Sequence, residues 1–259
     1  MKLITLITDF GTRDGYVGEM KGVLLSACPE VQLVDVTHDI EPGDVPGAAW
    51  TLARIWDRFP AGTVHLVVVD PGVGSQRRAV TAVRTERWFV GPDNGILDPG
   101  DDRLADAAWE IDPAAMGLPA PGNTFHGRDV FAPAAAWLAA GREPSGLGEA
   151  LDPRTLVRRD RRKADRVGEA VRGEVSHVDR FGNLITNIPA PWATPTALVE
   201  ISGEVMSGVR THYATVEPGE LVAVIGSGGM LEVSVRDGSA EARLGACRGS
   251  AVLLRTHRD

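Results

Sequence analysis

Apolar and polar positions change period several times along this chain, and each change marks an element. Leu3 to Thr8 is a short apolar run that stops at Asp9. Tyr16 to Cys28 carries apolar residues at helical spacing and ends before Pro29, which predicts a helix. Val31 to Val36 reads as a strand. Asp44 suits the N-cap of a helix running through Arg58, with Pro60 as its stop. Val64 to Val69 is an unbroken apolar run, the signature of a buried strand in a parallel sheet. Ala79 to Arg84 and Trp88 to Val90 follow as strands. A last helix, about Val130 to Ala140, has alanines for close packing and Pro133 in its first turn. Strands alternating with helices of this length predict an α/β fold, a mostly parallel sheet flanked by helices, over residues 1–165.

From Gly141 to Gly168 the periodicity fades. The run Arg158-Arg159-Asp160-Arg161-Arg162-Lys163 is read as a solvated linker rather than a nucleic-acid patch, because the chain carries a net charge of −8. Beyond it, short apolar segments recur between glycine-bearing turns: Ala170–Val178, Leu184–Ile188, Thr196–Ile201, Leu221–Ile225, Leu231–Val235 and Ala251–Leu254. No helical period shows there, so residues 166–259 are expected to form a smaller antiparallel β-barrel domain. The 259 residues and an apolar fraction of 43% suit two domains with adequate cores. Cys28 and Cys247 lack spaced partners, which argues against a disulfide framework or a zinc cluster. The apolar run before Asp9 is too short for a signal peptide and nothing approaches a membrane span, so a cytoplasmic protein without membrane partners is expected.

The chemistry concentrates where strands end. Val69-Asp70-Pro71-Gly72-Val73-Gly74 takes an apolar run into a carboxylate and a Pro-Gly turn, and Arg77-Arg78 follow. Thr8-Asp9-Phe10-Gly11 repeats the arrangement, so two carboxylates should share the rim where open α/β sheets bind ligands. Asp9 lacks the second aspartate of an aspartyl phosphatase. No kinase loops accompany Asp9-Phe10-Gly11, and the dinucleotide or methyltransferase glycine fingerprint is absent. Asn123-Thr124-Phe125-His126-Gly127-Arg128-Asp129 places His126 in the loop feeding the last helix, where it could meet Asp70 and Arg77. A lone loop histidine is commonly structural. Asp179-Arg180-Phe181-Gly182-Asn183 reads as a hairpin turn, although an amide there could also read an adenine edge. Asp9, Asp70 and His126 would also be conceivable metal ligands, but their spacing is not diagnostic and no metal is expected.

In this order and over essentially the whole chain, these motifs resemble the S-adenosylmethionine hydroxide adenosyltransferases, water-using relatives of fluorinase and chlorinase. The resemblance implies attack of water or hydroxide on the ribose 5′ carbon of S-adenosyl-L-methionine, giving adenosine and L-methionine, with no cofactor. It implies that Asp70, Arg77 and His126 hold and activate the water, either Asp70 or His126 taking its proton. Asp9 then matches the residue gripping the ribose hydroxyls, and Asp14 and Tyr16 match contacts to the methionine end, Tyr16 replacing a serine of the halogenating relatives. Asp179 matches an acid facing the substrate ammonium, Phe181 and Asn183 the adenine wall and its amide reader, and Ser227 a carboxylate contact. Ser227 is followed by Gly228 instead of an arginine, which weakens that contact; Ser239 is a candidate backbone partner for adenine. The resemblance also implies a homotrimer with active sites between subunits. Asp70 stands where fluorinase has a tyrosine, and His126-Gly127 where it has a tyrosine and the halide-binding serine; the long loop it inserts before Gly91 is missing. A carboxylate at the attack position repels a halide, so water is the expected nucleophile. A non-catalytic S-adenosylmethionine or adenosine binder is the alternative, though it would have no use for Asp70, Arg77 and His126 together.

Overall fold

A computed structural model describes residues 2–98 and 105–255, which divide into two compact units, 1–159 and 160–259. In the first unit the chain runs β1 (Leu3–Thr8), α1 (Tyr16–Ala27), β2 (Gln32–Thr37), α2 (Val45–Ile55), β3 (Val64–Val68), β4 (Ala79–Arg84), β5 (Arg87–Pro92), β6 (Ala107–Glu110), α3 (Ala132–Ala139) and β7 (Ala150–Leu151). One seven-stranded sheet results, in the order β2-β1-β3-β5-β4-β6-β7. β2, β1, β3 and β5 are mutually parallel, while β4, β6 and β7 each pair antiparallel with the strand before them in that order. The sheet is therefore parallel-rich with an antiparallel flank that sequence patterning leaves invisible in part: β6 and β7 are too short to show a period.

β1 and β3 are buried along their whole length because the sheet is covered on both faces. Alternate residues serve opposite layers, as the pleat requires. Ile4, Leu6, Leu66 and Val68 pack with Met20 and Leu24 of α1 and the alanines of α3. Ile7, Val67, Val69 and Phe89 pack with Ala48 and Leu52 of α2. Asp44 caps α2, its Oδ1 accepting from the Gly47 N–H at 3.1 Å. The helix ends at Ile55, three residues before the expected Arg58. Asp44→Ala is expected to cost about 1 kcal/mol, the usual worth of such a cap, read as a lower urea midpoint with unchanged slope.

The expected last helix is composite. A π turn spans Gly127–Phe131 before α3 begins, with His126 at its N-cap. Pro133 has no N–H to give the Asp129 carbonyl, so nothing holds that turn in α register.

The second unit contains β8 (Asp165–Val167), β9 (Ala170–Val178), β10 (Leu184–Pro189), β11 (Leu198–Ile201), β12 (Glu204–Ser207), β13 (Val209–Arg210), β14 (Leu221–Ile225), β15 (Met230–Val235), α4 (Ala240–Leu244) and β16 (Ala251–Arg255). Its sheet follows the path β12-β11-β16-β9-β10-β15-β14-β13, with β8 added beside β9, and only the β13–β14 pairing is parallel. β12 comes back against β14, so the sheet curls into a nearly closed barrel around Val175, Leu184, Val199, Leu231, Val233 and Leu254. Ser239 caps a short α-helix, α4, whose five residues are too few to show a period.

Candidate active site

β1 and β3 are neighbours in parallel register, Thr8 facing Val68. Asp9 follows one strand end and Asp70 lies two residues beyond the other, so both carboxylates stand on the carboxyl rim of the sheet. Asp9 Oδ2 accepts from the Gly43 N–H at 2.8 Å, which fixes the carboxyl group against the loop leading into α2. Asp14 is exposed in the loop before α1, whose first residue is Tyr16.

The antiparallel β4 begins where the parallel strands end, and this brings both arginines to the same rim. Arg77 donates from Nε to both oxygens of Asp70, at 3.0 and 2.9 Å, and from Nη2 to Oδ2. Asp70 and Arg77 side chains are only 6% and 11% exposed. The Arg77 guanidinium also lies 5.2 Å from the centre of the Phe131 ring, a cation–π contact. Arg78 turns the other way. It donates to Asp93 at 2.9 and 2.5 Å and to the Thr155 carbonyl at 2.6 Å, tying β4 and β5 to the 153–155 segment.

His126 completes the group: its Nδ1 lies 2.8 Å from Arg77 Nη2. A guanidinium only donates, so Nδ1 must accept and the ring proton sits on Nε2. Burial disfavours the imidazolium and the Arg77 charge disfavours it further, so His126 is held below its ordinary pKa despite Asp70 and a backbone hydrogen bond at Gly122. The loop carrying His126 is braced by Asp129, which accepts from the Gly122 N–H at 3.1 Å and pairs with Arg128 at 2.6 Å. Arg128 keeps the Asp129 carboxyl below the usual carboxylate range. The three residues expected to act together, drawn from segments 7 and 49 positions apart, thus form one hydrogen-bonded unit.

A second cluster stands in the barrel unit. Asp179 closes the β9–β10 turn: its Oδ1 accepts from the N–H groups of Phe181 and Asn183, both at 2.9 Å, and its Oδ2 from Asn183 Nδ2 at 2.9 Å. Phe181 is thrown outward, 76% exposed. Gly182 has φ of +79°, and a Cβ there would sit 2.0 Å from Ser239 Oγ, so only glycine lets this turn rest on the cap of α4. Ser239 Oγ is committed to that cap, accepting from the Ala242 N–H at 3.1 Å. Asp179, Phe181, Asn183 and Ser239 are therefore brought together. Ser227 is not with them. It lies in the β14–β15 turn, whose Gly229 carbonyl accepts from Ala190 N–H beyond the far end of β10. Six extended residues separate the two places, about 20 Å of strand.

Patterning missed Tyr213. Its hydroxyl donates to Glu232 Oε1 at 2.6 Å, and the buried Glu232 also accepts from Ser234 at 3.0 Å. Burial, the Glu232 carboxylate and the nearby Asp179 charge push the phenol up to about 12. A tyrosine in an aperiodic loop gives no signal of this kind. Among the described residues no three His, Cys, Asp or Glu side chains are grouped to hold a metal ion, and no helix is long and apolar enough to cross a membrane.

An α/β unit with a joined aspartate, arginine and histidine on its carboxyl rim, followed by an antiparallel barrel, defines a two-domain class with a polar side-chain cluster outside the parallel strands. The chain belongs to the S-adenosylmethionine hydroxide adenosyltransferase family: residues 4–148 match the model of its N-terminal domain and residues 173–253 that of its C-terminal domain. It is 41% identical to the (R)-S-adenosyl-L-methionine hydrolase of Thermus thermophilus, covering 98% of this chain and 100% of that one. The hydrolase of the same name from Salinispora tropica is 38% identical over 95% of each. A fluorinase from an Actinoplanes species is more distant, 31% identical over 72% of this chain and 71% of its own. Among solved structures, an uncharacterized conserved protein from Thermotoga maritima superposes with a TM-score of 0.90 at 34% identity, covering 97% of this chain and 99% of that one.

Proposed function

We propose that this protein is an S-adenosyl-L-methionine hydrolase, in which water attacks the ribose 5′ carbon and releases adenosine and L-methionine. The observation that carries the reading is the single hydrogen-bonded group of Asp70, Arg77 and His126, which sequence-distant segments assemble on the sheet rim. The new bond joins water oxygen to the 5′ carbon; the carbon–sulfur bond breaks and its electron pair stays on sulfur, leaving a neutral thioether. The water proton needs an acceptor. His126 offers none, since Nδ1 already accepts from Arg77 and Nε2 carries the ring proton. Asp70 retains lone pairs beyond those facing Arg77, so the carboxylate takes the proton and passes it to solvent. His126 is then the group that positions Arg77, and Arg77 orients Asp70 and favours hydroxide-like charge beside it.

Asp9, held by Gly43, is placed to accept from the ribose hydroxyls, with Asp14 and Tyr16 toward the methionine end. Asp179, Phe181, Asn183 and Ser239 form the adenine and ammonium contacts, and Ser227, at the other end of β10, stands outside that group. Metal and cofactor take no part. The enzyme works in the cytoplasm as a homotrimer with active sites at subunit boundaries, and light scattering should give three times the 27.6 kDa chain mass.

The experiment is hydrolysis in oxygen-18 water with chelator present, read by mass spectrometry. Label is expected in the adenosine 5′ hydroxyl. Absence of adenosine while the ligand still binds would make the protein a binder, and 5′-chloroadenosine in chloride buffer would make it a halogenase.

A further inference from the structure

Three aromatic side chains gather beside His126 from separate segments: Phe10 after β1, Tyr16 at the start of α1, and Phe125 in the loop before the π turn. Their ring centres are 6.1 Å (Phe10–Tyr16), 5.8 Å (Phe10–Phe125) and 5.4 Å (Tyr16–Phe125) apart, and every pair meets edge to face. Core packing explains Phe10 and Phe125, which are partly buried. It does not explain Tyr16, which is 48% exposed. The cluster is close to the reaction centre: a Cβ on Gly127, the residue after His126, would lie 3.3 and 3.4 Å from the Phe125 and Phe10 rings.

The cluster already holds one cation. The Arg128 guanidinium stands 4.9 Å from the Phe125 ring centre, and Glu19 and Asp129 pin it there at 2.8 and 2.6 Å. Aromatic faces attract positive charge through their quadrupole, most strongly where water is excluded. Tyr16 offers a further, part-exposed ring on the same rim as Asp9 and Asp70.

We propose that Phe10, Tyr16 and Phe125 form an aromatic wall that binds the cationic sulfonium end of the substrate and selects it over a neutral thioether. The inference rests on the hydrolase reading and deepens it. S-Adenosylmethionine carries its positive charge on the sulfur next to the carbon under attack. Hydrolysis converts that sulfur to an uncharged thioether, so the attraction to the wall disappears with the bond and the methionine product is held less tightly than the substrate.

The test compares a cation with a neutral ligand of similar shape. Sinefungin, in which a carbon bearing an ammonium replaces the methylated sulfur, and S-adenosylhomocysteine, a plain thioether, are titrated calorimetrically into the full-length wild type, Tyr16→Leu and Tyr16→Phe. Tyr16→Leu is expected to weaken sinefungin about five- to tenfold and S-adenosylhomocysteine less than twofold, while Tyr16→Phe keeps the wild-type preference. Equal losses for both ligands, no loss for either, or no preference for the cation in wild type each overturn the wall. Adenosine release from S-adenosylmethionine is measured separately on the same wild-type protein. Binding of both ligands without release would therefore sink the hydrolase reading and still leave the charge preference measurable.

Discussion

Asp70→Asn is expected to lower turnover of S-adenosylmethionine by about 10²–10⁴-fold, the usual worth of a positioned base and equivalent to about 3–5 kcal/mol of barrier. The amide is nearly the same size and can still accept from Arg77, but it cannot take a proton from water. Arg77 keeps its contacts with His126 and the Phe131 ring, so the fold should survive. Thermal melting checks this. KM should move much less than kcat, because the lost interaction develops only as the water attacks. His126→Asn should also be slow, for a different reason: without the Nδ1 acceptor, Arg77 loses one of its two hydrogen-bonding side-chain partners. Since the three side chains act as one group, Asp70→Asn combined with His126→Asn should be little worse than Asp70→Asn alone. Multiplying losses in the double variant would mean that His126 acts independently, and a loss confined to KM would leave Asp70 a binding residue only.

The second large effect concerns stability. His65 lies near the start of β3, fully buried, with Nε2 donating to the Trp56 carbonyl at 3.1 Å and Nδ1 2.7 Å from Thr5 Oγ1. Burial pushes its pKa down to about 4, and the positive Arg87 contributes in the same direction. The folded protein thus holds the ring neutral while the unfolded chain protonates it near 6.5. This stabilisation is fully present above pH 6.5 and is lost as pH falls from 6.5 to about 4, where the unfolded state binds the extra proton. The span corresponds to about 3 kcal/mol, and below pH 4 the contribution of His65 stops changing. Urea unfolding of wild type against His65→Gln isolates it from the carboxylates that also titrate. The glutamine variant is expected to be less stable at pH 7.5 and to lose its disadvantage toward pH 4; parallel curves across the window would remove His65 as the cause.

Much of this architecture is legible in the residues themselves. The unbroken runs in β1 and β3 announce a sheet covered on both faces, and the acids that end them announce the rim. The α/β character of the first half and the antiparallel barrel of the second follow from period and turn residues. What stays hidden is short or set by tertiary partners. β6, β7, β12, β13 and α4 have from two to five residues each, too few for periodicity to act on. The π turn at Gly127–Phe131 depends on a missing N–H two residues beyond it. The site divides the same way. Motif resemblance names Asp70, Arg77 and His126, but only their geometry shows which way the hydrogen bonds run. The Asp179–Asn183 pairing reads equally as turn chemistry from sequence, and the hydrogen bonds show that the turn chemistry is real. Tyr213, joined to a glutamate 19 positions away, has no local signature at all.

Arg77 and Arg78 stand side by side where β4 starts, one turned to Asp70 and the other to Asp93 and Thr155. Neighbouring residues in an extended segment face opposite ways, so their duties are decided by parity. The pairing of Ala79 with Pro92 fixes which way each guanidinium faces, so a residue gained or lost between Pro71 and Gln76 would change the reach of the turn and leave the two duties in place. That hexapeptide is consequently free to vary in length, whereas a shift of the β4 register itself would turn both arginines over.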